Sequence, residues 1–278
     1  MRSFIAILVL VSCPLAFAQS ESVSAGTGPL SAEAIIERSQ RAFYYAADDM
    51  KTTVTMDLVD RDGGRRTRVM TLVRRDASEG SNQKYFIYFH EPGDVRGLVF
   101  MVWKYPGKED DRWLFVPAVD LVRRIAADDK RSSFVGSDFT YEDVSGQDLS
   151  ADDHTLLREE KLDEHDCYVV QSTPRTAAEY TKRISWIEKK TFLPVREEYF
   201  DAQEQLFRVF TADQIEIITA GEGGNKTDWP TVTKRTMQNV KTGHRTEVVF
   251  YPVAYDLGLQ DEDFSERRMR RPPREWLN

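Results

Sequence analysis

The stretch 110–144, DDRWLFVPAVDLVRRIAADDKRSSFVGSDFTYEDV, decides how the rest of the chain is read. It opens with a short aromatic strand. Side chains alternate along a strand, so Trp113 and Phe115 share one face and Leu114 and Val116 the other. Pro117 has no N–H to give to a ladder and ends the pairing. A brief apolar return at 121–125 carries Arg123 and Arg124. Then come Asp128, Asp129, Lys130 and Arg131, the turn Gly136–Ser137–Asp138, and Phe139, Tyr141, Glu142 and Asp143. On residue chemistry alone the charges have two readings. They pair across neighbouring strands and solvate a sheet edge, or they form a polar rim where a partner or a ligand head-group docks. Exposed pairs are common and contribute only about 0–1 kcal/mol each, which favours the first reading.

The runs W-L-F-V-P-A at 113–118, R-R-I at 123–125, D-K-R at 129–131 and F-V-G-S-D-F-T-Y-E-D at 134–143 resemble a known signature. It is that of the outer-membrane lipoprotein-sorting-like proteins, relatives of the periplasmic lipoprotein carrier LolA. P-G-D-V-R-G at 92–97 is similar to the family's turn before its next strand. W-I-E at 186–188 and L-P at 193–194 also fit, although Asp is more usual where Glu188 stands. The resemblance implies a curled antiparallel sheet forming a half-open β-barrel, with an N-terminal helix packed on its concave side. It also implies a cavity for acyl chains between sheet and helix. A further implication is a membrane exporter of the resistance-nodulation-division type as partner. The rim residues Arg123, Arg124, Asp128, Lys130, Arg131, Asp138, Glu142 and Asp143 would then be the docking surface.

At 278 residues the chain can hold one large domain or two small ones. No linker-like run interrupts its middle, so one monomeric domain is expected over 31–266. The formal net charge of −8 disfavours a nucleic-acid partner, which needs a basic surface to displace counterions. Residues 1–18 read as a cleaved signal peptide: Arg2, an apolar run over 4–11 too short to span a bilayer, then Ala16–Phe17–Ala18 as a small-x-small site. Leu10–Val11–Ser12–Cys13 offers the alternative of a lipoprotein acylated at Cys13. Pro14 directly after it, and the better site five residues on, favour ordinary cleavage. The expected location is the periplasm. Cys167 is then the only cysteine left, in an apolar run where it reads as a small buried hydrophobe. Residues 19–30 read as a flexible leader. Residues 267–278, with five arginines, read as a solvated basic tail.

Ser31 caps an expected helix in which Ile35, Ile36, Ser39, Ala42, Phe43 and Ala46 recur at three-to-four spacing. Strand-like runs follow at 51–59, 66–74, 83–90, 97–104, 156–162, 167–172, 182–188, 195–200, 206–211, 213–219, 231–239 and 245–250. The fold class is therefore mostly β (α+β). So many antiparallel strands curl or split rather than lie flat, which leaves a two-sheet sandwich as the alternative to the half-open barrel.

The chain has no nucleophile elbow, no zincin motif, no phosphate loop and no dinucleotide fingerprint. Its four histidines are scattered singly. No enzyme activity, no cofactor and no metal is expected. Asp138, Glu142 and Asp143 as the carboxylates of a hydrolase make a distant third reading. By composition the strand aromatics are simple core. The resemblance turns Met56, Leu58, Phe89, Phe100, Val102, Trp113, Phe115 and Trp186 into expected lining of an apolar cavity. The function expected is a periplasmic carrier of a lipid or lipoprotein acyl chain, for lipoprotein sorting or lipid transfer. The alternative is an accessory exporter subunit without cargo.

Overall fold

The computed structural model describes residues 29–76, 82–221, 223–224 and 226–277. The signal peptide at 1–18, the Cys13 alternative and nearly all of the 19–30 leader lie outside the described residues. Every helix and strand named below lies within Ser31–Asn278.

Helix α1 (Ala32–Tyr44) begins where the sequence signals it. The Ser31 hydroxyl accepts from the Ala34 N–H at 3.2 Å, and Glu33 sits in the first turn, at the positive end of the helix dipole. The buried positions Ile35, Ile36 and Ser39 share one face. Six strands follow: β1 (Asp49–Val59), β2 (Arg65–Asp76), β3 (Gln83–Glu91), β4 (Val99–Lys104), β5 (Asp111–Val116) and β6 (Leu121–Ile125). Seven more come after residue 151: β7 (Asp152–Leu162), β8 (His165–Pro174), β9 (Lys182–Glu188), β10 (Pro194–Phe200), β11 (Leu206–Ala220), β12 (Thr227–Asn239) and β13 (Arg245–Tyr255).

All pair antiparallel in one 13-stranded sheet, in the order β6-β5-β4-β3-β2-β1-β13-β12-β11-β10-β9-β8-β7. The chain's first and last strands thus lie side by side and join two hairpin-linked halves, while β6 and β7 are the free edges. A sheet this wide twists and curls. It remains unclosed, a half-open barrel with α1 on the concave side. Turn chemistry sets the register of the first hairpin. Asp60 Oδ1 accepts from the N–H groups of Asp62 and Gly64 at 3.0 and 2.7 Å, and Gly63 supplies a φ of +89°.

Two expectations need correction. Runs 206–211 and 213–219 are one strand, β11, with register shifts after Ala212 and after Gln214. Asp213 occupies the bulge and accepts from Thr211 Oγ1 at 2.9 Å and Thr236 Oγ1 at 2.6 Å, so its polar group is satisfied inside the strand rather than ending it. The basic tail is not a free solvated tail, although Arg267, Arg270, Arg271 and Arg274 stay exposed. Helices α3 (Glu266–Arg270) and α4 (Arg274–Leu277) fold back, burying Met269 and Trp276 at 1% and 2% exposure with Phe86, Val99, Met101 and Phe115. The reason is that β2 to β5 are apolar on both faces. Their convex face needs a cover, and the two apolar residues among the arginines supply it.

Candidate functional site

Two segments occupy the concave side. Helix α1 packs against β7, β8 and β12. Over β1 to β5 the cover is the segment following β6, whose Phe134, Phe139 and Tyr141 join the same buried cluster as Val54, Met56, Leu58 and Phe89. Phe134 is the hub, with ring centroids 5.5 Å from Phe100, 5.5 Å from Tyr141 and 6.0 Å from Phe89. The segment ends in helix α2 (Tyr141–Ser145), held by a capping box. Thr140 Oγ1 accepts from the Asp143 N–H at 3.0 Å, and Asp143 Oδ2 accepts from the Thr140 N–H at 2.8 Å. Gly146 stops it at φ +86°, and a Cβ there would stand 2.7 Å from the Tyr45 hydroxyl at the end of α1. The sequence carries a signal for α2, Thr140-x-x-Asp143, set within the run of rim charges.

Met56, Leu58, Phe89, Phe100 and Val102 all lie in this inner cluster at 3% exposure or less. They meet packed side chains, not open space. Trp113, Phe115 and Trp186 are on the wrong side for the expected cavity. Phe115 belongs to the convex cluster with Val73 and Phe86, under the C-terminal helices, and Trp113 packs against it, 5.2 Å from Trp103. Trp186 points away from α1 into a cluster with Cys167, Val169 and Val195, and its indole N–H donates to Glu160 Oε1 at 2.6 Å. The alternation was read correctly, but it does not say which face is concave. Inward positions are held by Leu114 on β5 and by Ser185 and Ile187 on β9.

The expected docking rim is largely spent on internal bonds. Asp138 Oδ2 accepts from His244 Nδ1 at 2.6 Å and from Thr246 Oγ1 at 2.7 Å, which pins the segment to β13. Glu142, 8% exposed, takes Arg131 at 3.1 Å and Lys130 at 3.7 Å. Asp143 takes Arg208 of β11 at 3.1 Å. Arg124 pairs with Asp111, and Arg123 and Arg124 are exposed on β6, where charge protects a free sheet edge. Asp128 lies in the short 3₁₀ turn Ala127–Arg131. Asp138, Glu142, Asp143, Lys130 and Arg131 are thus engaged inside the fold, while Arg123 and Arg124 face solvent.

Three spaces adjoin α1. Between its Ser39–Tyr44 face and β9 to β11 is a polar slot of about 40 Å³, walled by Arg183, Glu197, Tyr199 and Arg208. A second slot of about 60 Å³ lies between Ala42–Tyr44 and strands β1, β2, β12 and β13. The third is a wide groove of about 990 Å³ at the open mouth of the barrel. Its walls include Tyr45 and Ala46 after α1, Tyr105 and Pro106, Phe192 in the β9–β10 turn, and Trp229 of β12. Arg38 of α1 stacks across it, 5.2 Å from the Phe192 ring.

The charges beneath α1 are mostly paired. Arg183 lies 3.7 Å from Glu197 and 3.9 Å from Asp152, and Arg208 stacks at 4.2 Å on Tyr199. Arg235 on β12 differs. Among the described residues it has no ion pair and no hydrogen bond, and its Nε is sealed from solvent. Its guanidinium lies among the rings of Phe250 at 4.7 Å, Phe139 at 5.2 Å and Phe43 at 5.3 Å. Such contacts stabilise a cation by about 0.5–2 kcal/mol, more as it loses water, and Arg235 is half-buried. Burial pulls its pKa below the ordinary value, and Tyr44 and Asp143 offset this only in part. Sequence reasoning missed Arg235. The available signal was a lone arginine two residues before the inward Met237.

Among the described residues no group of three or more His, Cys, Asp or Glu is placed to hold a metal ion. None of the described helices is long and apolar enough to cross a membrane. Cys167 is fully buried, and burial pushes its thiol up to about 11. It is expected to resist iodoacetamide in the folded protein at neutral pH and to label fully in denaturant. Mass spectrometry before and after unfolding checks this, and rapid labelling of the native form would refute it.

A family model with the description "Uncharacterized protein" matches residues 81–271. No curated protein matches the chain in sequence. Among solved structures, an outer membrane lipoprotein-sorting protein domain from Vibrio parahaemolyticus is 26% identical, with TM-score 0.75, over 86% of this chain and 98% of that one. A DUF1329 family protein from Desulfovibrio piger is 28% identical, with TM-score 0.72, over 84% and 95%. A LolA superfamily protein from Nitrosomonas europaea, 19% identical, superimposes with TM-score 0.65 over 86% and 99%, which speaks for the fold alone.

Proposed function

Because the chain belongs to the family whose model matches residues 81–271 and resembles an outer membrane lipoprotein-sorting protein domain and a DUF1329 family protein in sequence and fold, we propose that it works in the periplasm as a carrier. It shields an apolar molecule, a lipid or a lipoprotein acyl chain, during transfer between membranes. The observation that carries this reading is the groove of about 990 Å³ at the barrel mouth, bordered by α1 and lined in part by Tyr45, Ala46, Phe192 and Trp229. A groove of that size is at the upper end of the range for sites that enclose most of a small ligand. Met56 and Phe100 are packed in the inner cluster at 3% exposure or less, so the acyl chain is placed along α1 and not against them. Transfer of this kind needs positioning and shielding but no covalent step.

Protein purified from the periplasm is expected to release bound lipid in native mass spectrometry and, once stripped, to take up a fluorescent acyl probe. Absence of both would end the carrier reading. The alternative, an accessory exporter subunit, required the free charged surface over 123–143. With Glu142, Asp143 and Asp138 engaged internally, that surface is reduced to exposed charges such as Arg123 and Arg124, which makes it the weaker reading.

A further inference from the structure

The slot of about 60 Å³ beside β12 and β13 contains a cation with no ion-pair partner among the described residues. Arg74 reaches the carbonyl oxygens of Ala46 and Ala47, Arg112 the carboxylate of Asp110, Arg183 those of Glu197 and Asp152, and Arg208 that of Asp143. Arg235, whose Nε is sealed from solvent, has no ion pair and no hydrogen bond among the described residues; aromatic rings stack on it, Asp143 acts on it only at a distance, and it lines the slot. We propose that Arg235 is the counterion for the anionic head of a single-chain amphiphile, a long-chain carboxylate by the fit. The head occupies the slot and the tail lies out along the mouth groove. This rests on the carrier reading and names its ligand class.

Size comes first. One water needs roughly 10–15 Å³ of such space, so the slot takes a head-group of a few heavy atoms and not a chain. Chemistry comes second. Thr231 and Tyr255, also on the slot wall, hydrogen-bond to each other through their hydroxyls at 2.9 Å, and either proton can turn to an incoming oxygen. Continuity comes third. Ala42 borders both slot and groove, and the Trp229 ring of the groove lies 6.2 Å from the Tyr255 ring of the slot. From Trp229 to Arg235, β12 covers roughly 20 Å at about 3.3 Å per residue, a span that a long chain fills. A carboxylate ends its chain and enters a slot head-first. A phosphodiester carries substituents on both sides and does not.

The test compares cis-parinarate with its methyl ester by fluorescence, on the full chain and on Arg235→Gln. The intact protein is expected to bind the acid about 10- to 100-fold more tightly than the ester, as a charge-assisted hydrogen bond allows. Arg235→Gln should lose that preference and keep its affinity for the ester, while Arg235→Lys restores part of it. Equal binding of acid and ester by the intact protein would overturn the assignment of Arg235 and leave the carrier reading standing. No binding of either would overturn both. The acid-against-ester comparison on the intact protein stands even if Arg235→Gln fails to fold. Competition by oleate but not by lysophosphatidylglycerol identifies the carboxylate. Equal competition by the two would overturn the carboxylate in favour of a phosphate head at the same arginine.

Discussion

Replacing Asp143 with alanine is expected to lower the free energy of unfolding by about 3–5 kcal/mol, the usual consequence of stripping one partner from a buried ion pair. Arg208 would be left at 6% side-chain exposure with the Tyr199 ring and one carbonyl oxygen, that of Asp138 at 3.3 Å. The same change removes the acceptor for the Thr140 N–H and so undoes half of the capping box that starts α2. Asp143→Asn separates the two effects, because the amide oxygen can still cap while the charge is gone. It should cost less than alanine and more than a surface substitution, which usually stays within about 0.5 kcal/mol. Urea unfolding at constant m-value is the measurement. An alanine variant with the stability of the parent would mean that the segment after β6 is not held to β11 by this pair.

That pair also explains why the central motif was half legible. The alternation of β1, the Asp60–Gly64 turn and the Ser31 cap are local signals, and local signals set the helix, the hairpins and hence the curled sheet. The residues 126–147 carry no period. Their charges look like a solvated rim because nothing in sequence shows that Asp138 will meet His244, or Asp143 Arg208, across more than sixty positions. Such pairings exist only after the sheet has curled and brought β11 and β13 beneath the segment.

The faces of β5 show a second limit. Leu114 and Phe115 are both apolar and both buried at 7%, so alternation separates them without saying which looks inward. The decision belongs to distant chain: Phe134 and Tyr141 cover the concave side, Met269 and Trp276 the convex one. Trp186 was misplaced for the same reason. Its neighbour Ile187, at 1% exposure, takes the inward position and leaves the larger ring to the convex cluster. Arg235 escaped because an inward cation contradicts binary patterning, and departures of that kind collect at functional sites.

Phe134→Ala separates sealed core from ligand wall. Phe134 is 2% exposed at the centre of the Phe89, Phe100 and Tyr141 rings, so truncation should cost about 3–5 kcal/mol. In a domain of this size that is a fall in Tm of roughly 10 °C. The void left behind is apolar and enclosed, the kind that stays dry and admits a small hydrocarbon. Benzene should therefore raise the Tm of the variant and not that of the parent. Affinity for an acyl probe should be the same in both, because the chain is placed in the mouth groove, away from Phe100, Val102 and Met56. If the parent already responds to benzene, or if the variant binds the acyl probe more tightly, the inner cluster is a ligand cavity. Phe134 would then be its plug, and the placement of the acyl chain along α1 would have to be given up.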